Sequence, residues 1–227
     1  MTISMKNMHP RIGFVLSAFL AISLLTGCAG PEEASSEGDQ NQQQDEQKQQ
    51  AETASQNSED SNQDIEVLYR INTGAQEKYE TEDGETWTPD KLRWKGEEEW
   101  GAEGGKAVDR GGIEIRNTDR DPIYRHERWG MPGYSFKVPN GTYRLRLHFA
   151  ETYHGVETPG DRIFSVAVEG KNVLKDFDVF KEAGNSRRTA VVRTIKNVNV
   201  TDGELNIVFN FQSLTPIING IEVVSMP

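Results

Sequence analysis

Trp87, Trp94, Trp100 and Trp129 lie in or beside stretches rich in Gly, Pro or Glu rather than in alternating apolar runs. The surroundings of Trp100, Lys95-Gly96-Glu97-Glu98-Glu99-Trp100-Gly101, are strongly polar, and Tyr153-His154-Gly155 follows closely after an alternating run that ends at Phe149. A wide ring beside glycines and acids offers a flat apolar face with hydrogen-bonding groups at its edge. A sugar ring needs that combination, because its axial C–H groups form an apolar face while its hydroxyls demand polar partners. The plainer reading is that these rings pack ordinary loops.

Other residue sets could do chemistry. Glu127, Glu151, Asp161 and Asp178 could supply the two carboxylates of glycoside hydrolysis, which needs an acid and a base or nucleophile at a set separation. Against that, Glu127 and Arg128 could form a structural ion pair, and Glu151 could hold a loop. His126, His148 and His154 lack a ligand spacing, so no metal is expected. His148 shares a strand phase with Arg144 and Arg146, which predicts a solvated face for it. A nucleophile elbow, a P-loop and a dinucleotide fingerprint are absent from the sequence, so no cofactor is expected.

The elements that must carry these residues are strands. Tyr143, Leu145, Leu147 and Phe149 alternate with Arg144, Arg146 and His148, the period of a half-buried strand. The same alternation marks Tyr134/Phe136/Val138, Phe164/Val166/Val168, Leu205/Ile207/Phe209/Phe211 and Ile217/Ile221/Val223. Turn signals separate them at Pro139-Asn140-Gly141, Glu169-Gly170-Lys171-Asn172 and Asp202-Gly203. No long stretch carries a helical apolar period. The pattern predicts an all-β domain over residues 65–227, an antiparallel β-sandwich with long loops.

The 227 residues carry 36 acidic and 25 basic side chains, a formal net charge of −11, and one cysteine. The charge is uneven: +2 over residues 1–28, −9 over 29–64 and −4 over 65–227. Such a balance argues against nucleic acid as a partner, since that affinity rests on Lys and Arg neutralising phosphates. One cysteine excludes a disulfide framework. Lys6 and Arg11 precede an apolar run over residues 12–25, shorter than the roughly 20 residues needed to span a bilayer. A basic start, an apolar run and small residues at its end describe a secretory signal. Leu25-Thr26-Gly27-Cys28 resembles a bacterial lipobox, which implies cleavage before Cys28 and its lipidation (palmitate among the acyl groups), with membrane attachment outside the cytoplasm. Residues 29–64 contain nine Gln and no Val, Ile, Leu, Met, Phe, Tyr or Trp. Nothing there can offset the ordering entropy, so a disordered linker is expected, spanning about 30–35 Å as a flexible chain.

The 65–227 region resembles the malectin domain. The resemblance lies in Ile71-Asn72-Thr73-Gly74, in Asp83-Gly84 with Trp87 and Asp90, and in Tyr124-Arg125-His126-Glu127-Arg128-Trp129. It continues through Tyr134-Ser135-Phe136-Lys137-Val138-Pro139, Leu147-His148-Phe149-Ala150-Glu151-Thr152-Tyr153, Arg162-Ile163-Phe164-Ser165-Val166 and Phe177-Asp178. It implies a β-sandwich of jelly-roll type that binds oligosaccharide, α-linked diglucosides in the case of the animal protein. Carried over by position, the family's binding aromatics fall on Trp129, on Trp100 across a loop, and on the pair Tyr153 and His154. The family's C-terminal binding aspartate falls near Ser213 or Leu214, where no acid stands.

Taken together, the sequence points to a membrane-anchored, non-catalytic carbohydrate-binding protein for a glucan-type ligand. Trp100, Trp129 and Tyr153 would stack on sugar faces, with His154 and Glu151 or Arg128 bonding hydroxyls. The alternatives are a module that docks a protein in an envelope or signalling complex and, third, a glycoside hydrolase.

Overall fold

The computed structural model describes residues 65–93 and 98–227. The expected signal segment with Cys28, the expected 29–64 linker and Trp94 lie outside the described residues. Within the described residues, six strands form one sheet: β1 (Val67–Asn72), β2 (Tyr79–Glu80), β3 (Thr86–Pro89), β8 (Gly141–Phe149), β11 (Val191–Val200) and β14 (Gly220–Met226), in the spatial order β11-β8-β14-β1-β3-β2. A second sheet holds β4 (Trp100–Ala102), β7 (Gly133–Lys137), β9 (Ile163–Val168), β10 (Lys171–Phe177) and β12 (Glu204–Ser213), in the order β10-β9-β12-β7-β4. A small third sheet joins β5 (Lys106–Asp109), β6 (His126–Trp129) and β13 (Ile217–Ile218) with β6 in the middle. Two short helices, α1 (Asp121–Arg125) and α2 (Val179–Glu182), lie in the connections. Named strands pair antiparallel, except β1 with β3.

The alternation read from the sequence drives the two large sheets together. Leu145, Leu147 and Phe149 of β8 and Ile221 and Val223 of β14 are fully buried in one continuous core with Tyr134 and Phe136 of β7, Phe164 and Val166 of β9, and Leu205 of β12. Phe149 meets Phe164 and Phe177 across the layers, with ring centroids 6.1 Å and 4.9 Å apart. Each such side chain contributes about 1.5–3 kcal/mol by leaving water. This core is what holds the connecting loops in place.

The outer face of β8 departs from the sequence expectation. His148 is buried rather than solvated, because α1 and β3 cover that face with a second apolar cluster of Trp87, Ile115, Ile123, Tyr124, Ala150 and Ala190. Trp87, expected in a loop, is a fully buried β3 residue whose ring meets His148 edge-on at 5.2 Å. The imidazole is satisfied on both sides, with Nδ1 2.8 Å from the Tyr124 hydroxyl and Nε2 2.9 Å from Glu222. Burial holds the His148 imidazole below its ordinary range, opposed by its bond to Glu222. Arg146 at 3.0 Å and Arg70 at 3.5 Å give Glu222 cationic partners of its own.

A cavity at the edge of the sandwich

The small third sheet sets the floor of a cavity of about 660 Å³. Strand geometry decides which side chains reach it. Successive residues of β6 point to opposite faces, so Glu127 and Trp129 share one face and Arg128 takes the other. Glu127 and Trp129 line the cavity, together with Val108 of β5 and Arg110 just beyond it. The loop after β8 adds Tyr153 and Arg162, the end of β12 adds Phe211, and the β12–β13 connection adds Leu214 and Thr215. Register across β5 and β6 places Lys106 opposite Trp129 and Val108 opposite Glu127.

Close backbone contacts fix this arrangement. Gly74 has φ +80, and a Cβ there would stand 2.3 Å from the Glu127 carbonyl oxygen. Only glycine allows the turn after β1 to press on β6, and Thr73 next to it donates from its backbone to the Asn219 carbonyl at 2.9 Å. Gly155 plays a similar part in the cavity wall: a Cβ at that position would meet the Tyr153 ring at 2.5 Å. The tyrosine therefore folds over a bare backbone, and His154 leans on its ring with centroids 4.8 Å apart.

The two buried carboxylates at the cavity are held by the protein itself. Glu127 accepts from Arg110 Nη2 at 2.5 Å on one oxygen and from the Thr152 hydroxyl at 2.6 Å on the other. Glu151 accepts from the Tyr153 backbone at 2.9 Å and from Arg162 Nε at 2.7 Å. Arg162 also donates through Nη1 to the Thr215 carbonyl. Burial raises the Glu151 carboxyl above its usual range, with Arg162 pulling the other way. Asp161 caps its own loop, accepting from the Glu157 and Thr158 backbones at 2.8 Å, and those two bonds hold its carboxyl below the usual range. Asp178 caps α2, accepting from Lys181 N at 3.0 Å and from Gly160 N at 2.6 Å.

Of the residues singled out in the sequence, the structure brings Glu127, Trp129 and Tyr153 to the cavity, with His154 exposed beside Tyr153. Glu151 sits behind it as a fully buried strut that holds the Tyr153 loop. Arg128 faces away. It pairs with Asp90 at 2.5 and 2.9 Å, and Tyr134 donates to the same Asp90 at 2.8 Å, so the expected Glu127–Arg128 pair is replaced by Arg110–Glu127 and Arg128–Asp90. Trp100 is also elsewhere. It lies in β4 at the edge of the five-stranded sheet, nearly parallel to Phe136 at 6.3 Å and 6.0 Å from Tyr69, and it lines a separate cleft of about 210 Å³.

Arg110, Val108 and Phe211 in the cavity, and Lys106 beside Trp129, have no site role in the sequence reading, whereas Leu214 lies where the resemblance set a binding aspartate. Phe211 carried a signal, since it continues the core phase of β12. It is nevertheless 63% exposed, at the cavity, while Leu205, Ile207 and Phe209 of the same phase are buried.

A two-sheet sandwich with an aromatic, loop-built cavity at its edge defines the class of molecule. The sequence profile of the malectin domain matches residues 67–226, and the chain belongs to that family. A probable receptor-like protein kinase of Arabidopsis thaliana is 28% identical over 145 residues, covering 56% of this chain and 17% of the kinase. Malectin of Mus musculus is 36% identical over 76 residues, 32% of this chain and 25% of that protein. Among solved structures, a β-glucuronidase of Bacteroides uniformis superposes with a TM-score of 0.63 at 26% identity, over 70% of this chain and 18% of the enzyme. The plant receptor-like kinase FER shares the fold with a TM-score of 0.58 at 18% identity, over 72% of this chain and 50% of that one. The chain thus matches a quarter or less of the length of these two curated relatives.

Proposed function

We propose that the domain binds oligosaccharide in the 660 Å³ cavity, without catalysis, and that a lipid on Cys28 holds it at the outer side of a membrane. The observation that carries the reading is the pairing of exposed ring faces with hydrogen-bonding groups: Trp129, Tyr153 and Phe211 around Arg110 and Arg162. A flat apolar face with donors at its rim matches the two-faced chemistry of a pyranose. Family membership supports it, and one neighbour of like fold is part of a protein named β-glucuronidase. The candidate carboxylates are each engaged in loop, cap or ion-pair roles, which supports binding over hydrolysis. A glucan-type ligand remains the sequence-based choice.

Binding of the purified full chain to an array of α- and β-linked glycans tests the reading. Retention of a defined glycan, lost in Trp129→Ala, supports it; an array with no retained glycan overturns it. The anchor is tested separately. Cys28→Ser should move the protein from the membrane fraction to the soluble fraction, and unchanged partition would remove the lipid from the account.

A further inference from the structure

A neutral sugar offers hydroxyls that must donate as well as accept, so a site for it needs free acceptors. The carboxylates at this cavity are already partly engaged. All four oxygens of Glu127 and Glu151 already receive a protein donor. Beside them stand cationic donors without a partner of their own. Arg110 spends Nε on Thr152 at 3.1 Å and Nη2 on Glu127, leaving Nη1 without a partner among the described residues. Lys106 makes no ion pair among them and lies over the Trp129 ring, 5.3 Å from its centroid.

The excess of positive charge continues past the cavity wall. The loop that gives Tyr153 and Arg162 to the cavity gives Glu157 to a neighbouring depression of about 410 Å³, lined also by Arg116, Arg187 and Arg188. The three arginines have no carboxylate partner among the described residues; Arg116 bonds instead to Ser186, to the Arg187 carbonyl at 2.7 Å and to Thr189 at 3.3 Å. Arg188 holds a left-handed φ of 54, unusual for a residue with a Cβ and costing on the order of 1 kcal/mol. Its backbone donates to the Glu151 carbonyl at 2.8 Å, which ties the arginine loop to the cavity wall. Three arginines against the single carboxylate of Glu157, none of them ion-paired among the described residues, leave this depression with a net positive charge that favours an anionic ligand.

Resting on the carbohydrate-binding reading, we propose that the ligand is an acidic glycan, with one anionic group at Arg110 in the cavity, where Lys106 beside Trp129 adds positive charge, and the next at the Arg116, Arg187 and Arg188 cluster. Charge-assisted bonds from guanidinium to carboxylate or sulfate are about twice as strong as neutral ones, and an anion gives the unpartnered donors their acceptors.

Calorimetry of the full chain with matched gluco-tetrasaccharides tests this: neutral, C6-carboxylated on alternate residues, and C6-sulfated. In 50 mM salt an acidic tetrasaccharide should bind at least about tenfold tighter than the neutral one, about 1.4 kcal/mol. The advantage should shrink toward unity at 1 M salt, where screening acts within about 3 Å. It should fall several-fold in Arg187→Gln/Arg188→Gln, and the carboxylated and sulfated arms tell which anion the site takes. Equal or tighter binding of the neutral sugar at low salt overturns the inference and leaves carbohydrate binding standing. An acidic preference unmoved by salt and by the double variant overturns it as well. No binding by any of the three overturns both.

Discussion

Lys106 and Trp129 face each other across β5 and β6, and the ammonium lies 5.3 Å from the indole centroid. The pair makes Trp129 a prepared platform: one strand register fixes the ring's position, and the cation–π contact, worth about 0.5–1 kcal/mol at an exposed site, limits its tilt. The indole is half-buried against the core yet keeps a surface toward the cavity. Trp129→Ala should therefore lower glycan affinity at least about tenfold while leaving the fold intact, as read by calorimetry and circular dichroism. A variant that unfolds would make Trp129 a core residue instead.

Arg128, one residue away, should behave in the opposite way. Its ion pair with Asp90 is almost wholly buried, with side chains 7% and 1% exposed, and Tyr134 completes it. Removing one partner leaves an uncompensated charge, which costs about 3–5 kcal/mol. Asp90→Ala or Arg128→Ala should show that loss in urea unfolding. Where enough folded protein remains, sugar affinity should be close to the parent's.

Stability should fall on mild acidification because of His148. Its folded pKa is lowered by burial, while the unfolded imidazole titrates near its ordinary 6.5, so the unfolded state binds the extra proton. Stability is then full above that range and declines as pH drops through about 6.5, by at most about 1.4 kcal/mol per pH unit from this group. Tyr124, Glu222, Trp87 and Arg146 surround the ring or its partner. Urea midpoints at pH 7.5 and 5.5 measure the slope, and His148→Gln should flatten it.

Much of the framework was legible because period-two patterning reports burial directly. β7, β8, β9, β12 and β14 lie where apolar residues alternate, and the turns at Asn140 and Gly203 fall between strands as their residue types require. The outer face of β8 was misread because alternation cannot say what a distant segment covers: Trp87 and Tyr124 turn a polar position into a buried one at His148. The site was legible at Trp129 and Tyr153, whose family positions and local sequence carry them to the cavity. Trp100 and Arg128 illustrate the remainder. An aromatic in a polar loop does not reveal which sheet edge it reaches, and a charged neighbour of Trp129 must point to the opposite face of its strand. Arg110 needed the β5–β6 pairing to be known before it could be placed.

The central claim is that the Trp129 cavity, rather than the Trp100 cleft, takes a glycan. A thermal-shift screen of the full chain against neutral and acidic oligosaccharides tests it most directly, with Trp129→Ala and Trp100→Ala run in parallel. Ligand at about 100 times Kd should add about 2.7 kcal/mol of stability, a clear rise in melting temperature. The account expects that rise in the parent and in Trp100→Ala, and its loss in Trp129→Ala. No rise with any sugar, or a rise lost in Trp100→Ala and kept in Trp129→Ala, would contradict it.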